Sequence, residues 1–169
     1  YYVVSLIGKT LVLLIAPINT IVISYLTKRK ERLTRSQFGK AVLAGGGVSL
    51  VFFVACQIGT PLFVWLFYRN LYESVKGIVT VVNLAQILGL FSAFLFILVL
   101  TFTDERWQLW IQLAHFCILL VSSVLAARTY GMMGFAVASL GANSLRVAAV
   151  VILGIVKAGK DKGDRNADR

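Results

Sequence analysis

Apolar residues in this chain run together in long blocks instead of alternating or marking one helical face, and short polar connections separate the blocks. Hydrocarbon about 30 Å thick is crossed by roughly 20 mainly apolar residues in a helix, which satisfies every backbone amide within the segment. Five blocks reach that length: residues 1–26, 38–68, 75–102, 107–127 and 131–156. The pattern predicts an all-α polytopic membrane bundle of about five transmembrane helices over residues 1–157. From Lys157 onward Lys, Arg, Asp and Gly alternate without apolar periodicity, which predicts a disordered mixed-charge tail over 158–169.

With 59% hydrophobic and only 14% charged residues, the composition excludes an ordinary soluble domain. Lys and Arg number 17 against 7 Asp and Glu, an excess that a nucleic-acid binder could share. Here the cations sit between and after the apolar blocks, so they read as topology determinants and contacts for anionic lipid, with membrane lipid and not nucleic acid as partner. The connection 27–37 carries Lys28, Arg29, Lys30, Arg32 and Arg35, followed by Lys40, and is expected on the cytoplasmic side of the cell membrane. Alternation then leaves twelve loop and tail cations inside, including the C-terminus, against Arg69, Lys76 and Arg128 outside. Aromatic residues follow the same sidedness. Tyr1, Tyr2, Trp65, Tyr68, Tyr72 and Tyr130 fall at outer ends, and Tyr25, Trp107 and Trp110 near inner ends.

Two cations fall inside predicted spans, where an ionisable group faces protein or a water-filled cavity. Lys9 shares a narrow stripe with Tyr2, Ser5, Ala16, Thr20 and Ser24. It reads either as part of a cavity wall or as a side chain snorkelling to the outer headgroups. Arg146 lies mid-span on one face with Ser139 and Asn143, either binding a ligand or bonded to neighbouring helices. Gln108, Gln112, His115 and Ser122 form a stripe on the fourth block, and Asn83 and Gln86 stand one turn apart on the third. They would line a hydrophilic path or hydrogen-bond between helices. Every carboxylate is expected in a loop or the tail, so the interior has positive character suited to an anionic ligand.

Gly45, Gly46, Gly47, Gly131, Gly134, Ala138 and Ala142 are small residues that let backbones approach. Pro17 and Pro61 remove amide donors and are hinge candidates. Cys56 and Cys117 lie in apolar stretches and imply no disulfide framework. No nucleophile and base pair, intramembrane Asp pair or phosphate loop is present in the sequence, and His115 lacks partners at ligand spacing, so neither an enzyme, a metal site nor a cofactor is expected.

Three stretches, YYVVSLIGKTLVLLIAPINTIVISYLTKRK, PLFVWLFYRNLYESVKGIVTVVNLAQILG and TYGMMGFAVASLGANSLRVAAVVILGIV, together resemble the C-terminal half of the polysaccharide flippases. These are the O-antigen-type members of the multidrug/oligosaccharidyl-lipid/polysaccharide exporter superfamily. The first is similar to the opening helix of the second lobe with its Pro and basic loop. The second is similar to a helix end, short outer loop and next helix, and the third to a late helix opening on Gly and small residues. The resemblance implies one lobe of a two-lobed transporter, each lobe of about six or seven helices around a shared cavity. It implies a polyprenyl-pyrophosphate-linked oligosaccharide as substrate, held by intramembrane cations such as Lys9 and Arg146, with Ser5, Thr20, Gln86, His115 and Asn143 as further cavity candidates. A missing N-terminal lobe or a partner chain is then expected, because the blocks here number five. The alternatives are a cation-coupled drug or metabolite exporter of the same superfamily, which wants an intramembrane carboxylate absent here, and a non-transporting scaffold of glycan assembly.

The topology has a direct check. Arg32→Cys reacts with a membrane-impermeant maleimide only after cells are permeabilised, whereas Asn70→Cys reacts in intact cells; the reverse pattern inverts the orientation.

Overall fold

The computed structural model describes residues 2–6, 9–10, 34–100 and 103–164. They are helical almost throughout and contain no strand, with three helices long and apolar enough to cross a membrane. We label these α1 (Arg35–Phe67), α2 (Arg69–Leu100) and α3 (Glu105–Asp164). Residues 2–6 and 9–10 are also helical, while Pro17, Thr20 and most of the basic connection lie outside the described residues.

Thr34 starts α1 with a capping box. Its side chain accepts from the Gln37 amide and the Gln37 side chain accepts from the Thr34 amide, satisfying two donors that a helix start otherwise leaves bare. At the far end only Tyr68, with φ −136° and ψ 47°, separates α1 from α2. The polar stretch 69–74, expected as an outer loop, is instead the first turn and a half of α2. Glu73 is therefore helical and pairs with Lys76 one turn on. The contacts of Gly45 with Phe91 and Phe94, and of Gln57 with Thr80, make α1 and α2 antiparallel.

A straight helix of the length of α3 would extend roughly 90 Å, three times the hydrocarbon thickness. Gly131 prevents this. With φ 60° and ψ −140° it takes a backbone conformation that L side chains rarely adopt, and the chain doubles back there. His115 hydrogen-bonds Asn143 at 3.2 Å, and the Lys157 ammonium lies 5.6 Å from the Trp107 ring centre, although a straight helix would hold each pair tens of ångströms apart. α3 is thus two antiparallel arms meeting without a loop. Its helical backbone continues to Asp164, beyond the point where the tail is expected to leave the helix; cations near a helix C-terminus oppose the macrodipole favourably.

α2 is the axis of the bundle. Of its most apolar window 39% is buried, against 6% for those of α1 and α3, so the outer helices present most of their apolar surface outward. Leu43, Val51, Ile58 and Leu62 of α1 and Leu109, Phe116 and Leu125 of α3 are exposed, a surface suited to lipid and hazardous in water. Around α2 the core falls into two apolar clusters. One gathers Val4, Val64, Val75, Val79, Val82 and Ala136, and the other gathers Phe38, Leu95, Leu98, Val99 and Val150. Between them α2 carries Asn83, Gln86 and Gly89, a polar waist.

Small residues set the close approaches, though not all those expected. A Cβ on Gly45 would press into the Phe94 ring, and one on Gly154 would overlap Phe38, whereas Gly47 faces open space. At the Gly131 bend a Cβ on Gly134 would collide with the Ala126 carbonyl. Gly134→Ala should therefore cost about 1–3 kcal/mol and lower the thermal midpoint in detergent. Gly141→Ala, where nothing lies within 4 Å of the added carbon, should leave it unchanged or slightly raised.

Candidate functional site

The polar waist is built by α2 reaching in three directions. Toward α1, the buried Asn83 accepts from the Thr60 hydroxyl at 3.1 Å and donates to the Cys56 carbonyl at 3.1 Å and to the Gln57 side chain at 3.0 Å. Gln57 in turn donates to Thr80 at 2.9 Å. Pro61 stands in the same stretch of α1. Lacking an amide hydrogen, it leaves the Gln57 carbonyl without its helical donor, and the neighbouring Cys56 carbonyl is where Asn83 attaches. At an average of about 0.6 kcal/mol per interhelical bond in membranes, the joint contributes roughly 2 kcal/mol.

Toward the helical residues 2–6, Gln86 donates to the Ser5 carbonyl at 3.2 Å while the buried Ser5 hydroxyl donates to Tyr2. Asn83 and Gln86 thus serve different neighbours; three residues turn a helix by about 300° and leave them some 60° apart. Lys9 is exposed, its ammonium 4.5 Å from the Tyr2 ring centre. A long helical side chain leans toward the N-terminus of its own helix, and the aromatic face of Tyr2 receives it there.

Toward α3, the Ala85 carbonyl accepts from Asn143 at 2.8 Å, and the Asn143 oxygen faces His115 Nε2 at 3.2 Å. Asn143 therefore ties α2 to both arms of α3. Gly89 faces the Asn143 amide, and a Cβ there would meet it at 3.5 Å, an ordinary van der Waals contact. One turn further along the second arm, the half-buried Arg146 guanidinium stacks over Phe96 of α2 at 5.3 Å. Its buried Nε has no hydrogen-bond partner, and no carboxylate pairs with it among the described residues.

Phe96 also forms a wall of an open groove of about 610 Å³, lined besides by Gln108, Leu109, Gln112, Leu113 and Phe116 of the first arm. Gln108 is buried, and its Nε2 is a second donor without a partner. The sequence stripe of Gln108, Gln112, His115 and Ser122 is therefore divided. The two glutamines face the groove, His115 joins Asn143, and Ser122 bonds back to the Ile118 carbonyl of its own helix.

Of the candidate cavity residues, the fold brings His115, Asn143 and Arg146 together beside the groove and joins Ser5 to Gln86 elsewhere. Lys9 stands apart with Tyr2. Thr20 and Pro17 lie outside the described residues. Gln57 and Thr60, which bond Asn83, and Thr80, which bonds Gln57, are not among the sequence candidates, although Gln57 and Thr60 on α1 and Thr80 and Asn83 on α2 are each polar pairs at a spacing of three. Phe96 gave no signal, since a lone Phe in an apolar run looks like lipid contact.

Donors without acceptors, an arginine without a carboxylate and an apolar groove can hold an anion with a greasy portion. Asn143→Ala should lower stability by about 1 kcal/mol, because two interhelical bonds of about 0.6 kcal/mol each are lost. Ser144→Ala, whose hydroxyl bonds only the Leu140 carbonyl in its own helix, should change nothing measurable.

Comparison with protein-family models, curated proteins and solved structures finds no match to the chain.

Proposed function

We propose that this chain forms one lobe of a membrane transporter that moves a lipid-linked oligosaccharide across the cell membrane. Its anionic pyrophosphate is held by cationic and amide donors inside the bundle. In this reading the two arms of α3 are separate spans, which with α1, α2 and the apolar block at residues 1–26 make five, and the basic connection 27–37 and the C-terminus face the cytoplasm.

The observation that carries the reading is Arg146. A guanidinium within a membrane bundle normally finds a carboxylate or a set of carbonyls. Here Nε is buried and unpartnered, the ring of Phe96 lies 5.3 Å from the guanidinium carbon, and Asn143, which bonds His115, stands one turn away on the same arm. An incoming phosphate oxygen would supply the acceptor that Arg146 lacks. The groove between Phe96 and the first arm gives the apolar part of the same molecule a path toward lipid.

Arg146→Ala in the native host is expected to reduce surface polysaccharide at least about tenfold while the membrane abundance of the protein holds, since hydrogen bonds to a charged group are worth about 1.5–3 kcal/mol. Arg146→Lys keeps the charge without the fork and should fall between the two. Undiminished surface polysaccharide in Arg146→Ala would refute the reading, and a parallel fall in abundance and export would assign Arg146 to folding.

A further inference from the structure

His115 is the sole histidine of the chain, and its place beside Arg146 suggests a second ligand for the same site. Asn143 donates through Nδ2 to the Ala85 carbonyl, so its oxygen is what faces His115 Nε2. An oxygen accepts only, which assigns the Nε2–H tautomer and leaves Nδ1 with a free lone pair. Nδ1 has no hydrogen-bond partner among the described residues.

The charged surroundings are sparse. On the second arm, Arg146 follows one turn after Asn143, the hydrogen-bond partner of the imidazole. The facing stretch of α2 brings Asn83, Gln86 and Ser92 but no ionisable group. The first arm brings Gln108, Gln112 and Cys117, and α1 brings Cys56, packed at Asn83. No carboxylate balances Arg146 among the described residues. A second positive charge on the ring would therefore face an uncompensated guanidinium in a medium of low dielectric. An anion held by Arg146 neutralises that charge and removes the repulsion.

We propose that His115 is a proton-binding site whose occupancy is linked to that of an anion at Arg146, so that the bundle takes up the two together. The proton passes from solvent to Nδ1, Nε2–H stays on the Asn143 oxygen, and no other bond is made or broken. Linkage is reciprocal, so the proton tightens anion binding by the factor with which the anion tightens proton binding. The inference rests on the reading of Arg146 as an anion site and adds to it the coupled ion.

The test uses the full chain in nanodiscs and decyl methyl phosphate, a phosphodiester whose single charge does not change across the histidine range. Binding to the wild type is expected to be at least about fivefold tighter at about pH 5.5 than at about pH 7.5. His115→Gln keeps a donor for Asn143 and should bind with no pH dependence, and Arg146→Gln should bind weakly at both. Independently, the single imidazole resonance of the wild type at about pH 6.5 should shift toward the protonated form when the phosphodiester is added, and should not move in Arg146→Gln. Arg146-dependent binding of equal strength at both pH values, with an unmoved imidazole, overturns the linkage and leaves the anion site standing. Absent binding, or binding indifferent to Arg146→Gln, overturns both.

Discussion

A polar group within hydrocarbon must find its partner in the protein, and in this bundle α2 supplies nearly all of those partners. Asn83, the Ala85 carbonyl and Gln86, spread over one turn of the central helix, reach α1, the second arm of α3 and the helical residues 2–6. Dispersion holds apolar helices together with little preference for register, because lipid tails are as apolar as leucine. The directional bonds at the waist set the register, and the two apolar clusters pack on either side of it.

The same constraint accounts for where the backbone departs from regular helix. Pro61 removes an amide donor from α1, and Asn83 is bonded to the carbonyl beside the gap. Gly131 reverses the chain within one residue, and close contact between Gly134 and the Ala126 carbonyl seals the bend without a loop. Cation–aromatic pairs mark the two ends of the bundle, Arg69 with Trp65 at one and Lys157 with Trp107 at the other, where amphipathic rings prefer the headgroup level.

Against this thorough pairing, the unsatisfied donors stand out. Gln108 lines the groove and Arg146 lies over Phe96 of its wall; Gln108 Nε2, Arg146 Nε and Ser123 Oγ are the buried polar side-chain atoms left without a partner among the described residues. Buried polar atoms without partners are uncommon in folded proteins and ask for a reason. The proposed anion would provide one for Arg146; nothing in the structure explains Gln108 or Ser123. Asn143 stands between the structural and the functional roles, since the amide that fixes the α2 to α3 contact also presents His115 beside Arg146.

By itself the sequence determined the solvent. Apolar blocks of spanning length and so few charged residues suggest a helical membrane protein, because a helix satisfies its backbone amides within the segment. It also marked His115, Asn143 and Arg146 as polar groups out of place in apolar runs. Tertiary structure alone decided their partners. Periodicity along one helix places a side chain on a face but is silent about which neighbour covers that face. Asn83 and Gln86 were open to a shared path or to bonds between helices and became two joints, and Phe96 became the wall under Arg146. The loops expected at 69–74 and near 128–130 vanished into helix for a related reason. Polar composition signals exposure to water, whereas the turn itself needs only one residue, Tyr68 or Gly131, whose backbone can break the ladder.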